Sequence, residues 1–209
     1  MNEALTPQAL DDAPASMARA LAELLPRVEL PGYLRFLDTM VHYTRDSGTR
    51  LREAAAIARD PELASVFGTL AGEEAHHHRL AEADLASFGR TPSAEAPPSV
   101  RAFRAFWAAP VPERDLVLLG ALLALEGVAS YLGDDVRPAL QRLGLHPGNA
   151  RFVLVHLQAD EEHGAGCRAH ALRLAEHGLA SLLAGAKGAA DRWIEMHRCL
   201  VDDDGDRDR

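Results

Sequence analysis

A chain of 209 residues is long enough for one domain with a substantial core, and its 47% hydrophobic but only 5% aromatic content, rich in Ala and Leu, favours helix over strand. The formal charge of −9 excludes a phosphate-gripping surface, so nucleic acid is not an expected partner. Two cysteines, Cys167 and Cys199, are too few for a disulfide framework, and no charged segment followed by an apolar one opens the chain, which leads us to expect a reduced, cytoplasmic protein.

In chain order, residues 1–13 read as frayed or disordered, 14–200 as a single all-α helical domain, and 201–209 as a disordered acidic tail. Residues 15–25 carry an amphipathic pattern that Pro26 ends. A long helix is predicted over 31–59, with Gly48 as its weak point. Asp60 as N-cap and Pro61 at the first helical position start a third helix that reaches Phe88 and stops at Gly89. Residues 90–99, RTPSAEAPPS, form a linker too short to separate domains. A short helix at 100–108 and a PVPERD turn lead to a helix at 113–132. A turn at 142–149 precedes helices at 150–177 and 180–200. The bundle thus has about seven helices. The apolar run 116–132 is shorter than a membrane span and carries Glu126, so it reads as a buried helix and no membrane partner is expected.

An α-helix advances about 100° per residue, which puts His156, Asp160 and His163 on one stripe. Phe152, Val155 and Ala159 fall on or near that side, so the stripe is expected to face the interior. Desolvating a carboxylate without a partner costs several kcal/mol, which demands a partner elsewhere. Glu74 and His77, three apart, share a face with Leu70, Ala81 and Leu85. The pair Glu73 and His76 is the offset alternative and reads, with Arg79, as pointing mostly elsewhere; His78 is held in reserve. Glu126 is the only ionisable group in an otherwise apolar helix, and a cation would hold it charged. Di-iron bundles combine single Glu residues with Glu-x-x-His pairs. Here the first long helix offers Asp38, His42 and Asp46 where such a site wants Glu, and the last metal-type helix adds His156 and has Asp in place of Glu. Mixed imidazole and carboxylate ligands with open positions suit iron or manganese and O₂ chemistry better than a closed zinc site.

These residues resemble the haem-oxygenase-like di-iron oxidases and oxygenases, which share their fold with haem oxygenase, TenA thiaminases and the pyrroloquinoline quinone synthesis protein. The resemblance rests on H-x-x-x-D-x-x-H at His156, Asp160 and His163, with Glu126 about thirty residues upstream, and on EEAHHHRLAEADLASFG, which is similar to the family's EE-x-x-H…DL…G segment and lines up Glu74 and His77. It spans roughly residues 33–177. It implies a homodimeric bundle holding two Fe(II) ions, or manganese, through Glu74, His77, Glu126, His156, Asp160 and His163. His42 would be an extra ligand or pocket residue. It further implies O₂ as co-substrate and, in a biosynthetic pathway, oxidation of an amino acid, fatty acid or related small molecule by hydroxylation, N-oxygenation, C–C cleavage or desaturation. Two alternatives stand beside it: a ferritin-like iron-storage protein, and a TenA-like hydrolase using Cys167, one turn beyond His163, as nucleophile. Arg45, Arg104 and Arg151 are the residues considered for a substrate carboxylate, although each also suits a surface position.

Overall fold

The computed structural model describes residues 6–132 and 135–202 and, within them, every side chain except those of residues 160 and 161. Among the described residues the chain is all helix and turn, with no strand, as its composition predicts. A 3-10 turn at Pro7–Asp11 leads into α1 (Asp12–Leu24). Leu10 is completely buried there, so the chain is anchored from within the stretch read as frayed. Helix α2 (Leu30–Thr44) and helix α3 (Ser47–Ile57) replace the single helix expected over 31–59. The break falls at Arg45 and Asp46, before Gly48. Gly48 instead lies buried inside α3, where an added Cβ would come within 2.8 Å of the Ala71 carbonyl oxygen. Its missing side chain lets α3 lie directly against the next helix.

That helix, α4 (Pro61–Glu73), starts as read: the Asp60 carboxylate accepts from the Leu63 N–H at 2.8 Å, with Pro61 in the first turn. Arg173 grips the same carboxylate through two hydrogen bonds of 2.7 and 2.9 Å, tying this end to the last helix. The helix does not run on to Phe88. It tightens into a 3-10 turn at Glu74–His76 and resumes as α5 (His78–Ser87), which Gly89 ends with a positive φ of 67°.

Helix α6 (Pro98–Ala108) is followed by α7 (Arg114–Gly127), α8 (Ala129–Leu132) and α9 (Val136–Arg142), the last between the helix expected to end at 132 and the turn expected from 142. The two helices expected over 150–200 are one, α10 (Arg151–His197), interrupted only at Gly178 (φ −175°, ψ 45°). Residues 203–209, most of the expected tail, lie outside the described residues.

Helix α7 forms the centre. Leu118, Leu119, Leu123 and Ala124 are essentially inaccessible, and fully burying a leucine contributes about 2 kcal/mol. Arg114–Leu132 is apolar and long enough to cross a membrane by composition, but 67% of it is covered by the rest of the fold. Helix α10 lies along α7 with backbones closer than side chains allow: a Cβ on Gly120 would collide with the Leu182 carbonyl, and one on Gly185 with that of Val117. At the start of α10, the fully buried Asp84 of α5 accepts from the Phe152 N–H at 2.8 Å. A carboxylate on a helix N-terminus is favourable, and this one fixes where the first turns of α10 meet the α4–α5 junction.

Candidate metal centre

The 3-10 turn is what brings Glu74 and His77 together. With three residues per turn, positions i and i+3 eclipse, and His77 Nδ1 lies 2.8 Å from Glu74 Oε1. The same nitrogen lies 3.2 Å from His156 Nε2, across on α10. His156 donates its Nδ1–H to the Phe152 carbonyl one turn back, at 2.7 Å, so its Nε2 carries a lone pair toward His77 and Glu74. The single hydrogen of His77 Nδ1 cannot satisfy both neighbours. One ligand atom from each of Glu74, His77 and His156 lies within 4.8 Å of the others, and Glu74 is buried. Atoms roughly 2.1 Å from a common ion would be spaced in this range.

A second half adjoins it. His163, two turns after His156 on α10, has Nδ1 3.3 Å from Glu126 Oε2 of α7 and Nε2 3.0 Å from Glu73 Oε2 of α4. The Nδ1 approach lacks the alignment of a hydrogen bond, leaving that buried nitrogen unpartnered. Gly164 makes the approach geometrically feasible: a Cβ there would sit 2.7 Å from the Glu126 carbonyl oxygen. A metal-bound imidazole commonly donates its outer N–H to a carbonyl or carboxylate. The Phe152 carbonyl accepts such a bond from His156, and the Glu73 carboxylate lies at ion-pair distance from the outer nitrogen of His163.

The two halves act on each other electrostatically. Burial pushes the Glu126 carboxyl up, His163 opposes this, and the charge of Glu74 adds to it. Burial drives His156 down toward its neutral, ligating form. In His77 burial also pulls downward, but Glu74 and Glu126 outweigh it and the ring holds its proton more firmly than usual. Glu126 raises His163 likewise, against burial. Carboxylate oxygens and imidazole lone pairs thus converge from three helical segments, an N/O donor set that fits non-haem iron or manganese.

Of the residues expected at the site, Glu74, His77, Glu126, His156 and His163 meet here. Asp160 is on α10 between the two histidines, and its side chain lies outside those described. His42 does not join them. Its Nε2 is 3.0 Å from the Ser93 hydroxyl, while the Ser93 N–H and hydroxyl each donate to Asp38 at 2.7 Å. His42 and Asp38 therefore fasten the 90–99 linker to α2, and Asp46 pairs with Arg104 at 2.8 Å. His76 is exposed and His78 belongs to neither half. Glu73, read as turned away, instead reaches His163, because the tightened turn carries both neighbouring carboxylates toward α10. Cys167 is 1% exposed, and burial with the nearby Glu126 pushes its thiol far above the ordinary range, which removes the TenA-like nucleophile.

Glu74, Glu126 and His156 also form part of the wall of a cavity of about 160 Å³, otherwise dominated by apolar side chains from α1, α2, α6, α7 and α10, among them Met40, Phe103, Leu122 and Trp193.

A family model described as iron-containing redox enzyme, of haem-oxygenase type, matches residues 34–194. No curated protein matches the chain. Among solved structures, the chain is similar to a domain of unknown function with a heme oxygenase-like fold from Shewanella denitrificans OS217, with a TM-score of 0.77 and 18% identity over 92% of this chain and 89% of that one. At that identity the likeness shows the fold, which is haem-oxygenase-like. With most of its length matched by the family model, the chain belongs to the iron-containing redox enzyme family.

Proposed function

We propose that the protein is an O₂-dependent non-haem oxidase or oxygenase that holds two iron ions, with manganese the alternative metal, and oxidises a small organic molecule. The observation that carries this reading is the convergence of Glu74, His77 and His156 within 4.8 Å at the wall of an apolar cavity. Iron(II) in such a setting supplies Lewis acidity and the electrons that O₂ reduction needs. Glu74 and His77 of the α4–α5 junction, with His156, hold one ion. Glu126 and His163 hold the second, and the Glu73 carboxylate, 3.0 Å from the outer nitrogen of His163, steadies that ring by its charge. Asp160 is assigned to the set by its helical spacing between the two histidines. The apolar walls keep water from the bound molecule, and the cavity at the centre favours turnover over storage.

The test is anaerobic loading with Fe(II), followed by O₂ admission to the wild type and to His156→Ala. Two irons per chain and O₂ uptake are expected of the wild type, with uptake lost in the variant. Equal uptake by both would contradict the assignment.

A further inference from the structure

Among the described residues, the cavity wall carries two buried hydrogen-bond donors without acceptors, and both lie away from the metal-type residues in sequence. Arg50 of α3 reaches the wall, where its Nη2 donates to the Tyr43 carbonyl at 2.9 Å and to the Ser47 hydroxyl at 3.1 Å. Its Nη1 is buried with no partner. Trp107 of α6 is 4% exposed, lines the same cavity, and its Nε1–H is also buried with no partner. The two flank one ring: the Arg50 guanidinium carbon is 5.7 Å from the centre of Phe103, and the Trp107 ring is stacked 6.1 Å from it. Among the described residues no carboxylate lies within ion-pair distance of Arg50. Burial disfavours the guanidinium charge and the neighbouring Arg104 adds to that effect, while the carboxylates of Asp46 and Glu53, neither of them on the cavity wall, act against it from beyond ion-pair distance.

A guanidinium nitrogen and an indole N–H buried without acceptors each cost stability unless something supplies the acceptor. Water could serve one donor, but a full positive charge in an apolar chamber is best met by an anion. Arg45 and Arg104 do not fill this role, because Arg45 is paired with Glu82 and Arg104 with Asp46. Thr44 and Ser47 bring only hydroxyls to this stretch of wall. The carboxylates on the described cavity wall are Glu74, in the candidate metal group, and Glu126, which faces His163. Among the described residues, a substrate ammonium near Arg50 would therefore find no carboxylate on this stretch of wall.

We propose that Arg50 and Trp107 form the anion end of the cavity and bind the carboxylate of a monocarboxylic acid with an apolar body, whose carbon chain then lies along the leucine and aromatic walls beside Glu74, Glu126 and His156. This deepens the reading above, since it takes the cavity to hold the molecule that is oxidised, but the binding itself requires no metal.

That independence sets the experiment. Trp107 and Trp193, the chain's two tryptophans, both line the cavity, so intrinsic fluorescence of the metal-free protein reports occupancy. Octanoate and 4-phenylbutanoate should bind saturably, their methyl esters about tenfold or more weakly, and phenylalanine no better than the esters. In Arg50→Gln the preference for acid over ester should vanish, while Arg50→Lys should retain part of it. Trp107→Phe, read through Trp193, should weaken the acids and leave the esters unchanged. Acid and ester binding alike in the wild type would overturn the proposal whether or not the variants fold, as would Arg50→Gln keeping full preference. A protein that prefers the acids but takes up no O₂ when loaded with iron would leave this inference standing and sink the oxidase reading.

Discussion

The two halves of the centre draw on the same residue types but are built differently. In the first, His156 is oriented by a backbone carbonyl at 2.7 Å, and Glu74 and His77 are eclipsed by a 3-10 turn. The carbonyl that orients His156 carries no charge to titrate or screen, although His77 beside Glu74 still holds a proton. In the second, the outer nitrogen of His163 leans on Glu73, whose side chain is 48% exposed, and Glu126 comes from a third segment whose position depends on the glycine contact at 164. On the proposed function, an ion in the first half would be held by backbone-set geometry, while an ion in the second would be held partly by a solvent-facing charge. The first should bind iron more tightly.

The largest expected effect comes from His156→Ala, which removes the lone pair that the Phe152 carbonyl aims. The tight iron should disappear in an anaerobic titration and O₂ uptake should fall at least about a hundredfold. If instead the weaker iron is lost and the tight one stays, the ranking of the halves is reversed.

Acidification should act next. His77 and His163 both hold protons to higher pH than a free imidazole, so each half must displace a proton to take its metal, and affinity falls about tenfold for each pH unit below that raised value. In the second half, Glu126 is also pushed up, first by burial, and adds a second proton to displace. Its loss of iron with falling pH should therefore be the steeper, and parallel curves would remove the distinction. Stability must be tracked alongside, because buried His197 has its pKa lowered from 6.5 to about 4. A depressed imidazole contributes fully above the unfolded value and loses its contribution as pH falls through this window, by roughly 3 kcal/mol at most. Denaturant midpoints should drop between neutral pH and 4.5, and His197→Phe should flatten that drop.

The smallest effect belongs to Glu73→Ala. It should weaken the second iron about tenfold and leave the first untouched, as expected for a group that orients a ligand without being one. Loss of both irons would show Glu73 to be a direct ligand.

Much of the centre was legible because helix periodicity is a strong signal. The stripe through His156 and His163, the solitary Glu126 and the pair Glu74 and His77 each follow from spacing on an apolar face. What the spacing hid depends on departures from regular helix or on long-range contacts. Glu73 looked averted because a continuous α-helix turns it from Glu74 by about 100°, and only the 3-10 turn lets both carboxylates reach α10. His42 looked like a ligand on a buried face, but Ser93, 51 residues away in a Pro-rich linker, claims its nitrogen. Arg50 gave no hint of a cavity role, since one arginine among charged neighbours reads as surface. The break at Arg45 and Asp46 carries no Pro or Gly to announce it, and α9 is too short for helical periodicity to stand out.

The most direct measurement is anomalous X-ray diffraction at the iron absorption edge from crystals loaded with Fe(II) under anaerobic conditions. The account predicts one peak among Glu74 Oε1, His77 Nδ1 and His156 Nε2, and a second, weaker peak beside Glu126 and His163 Nδ1. Iron elsewhere in the fold, or no peak at the first position, would contradict it.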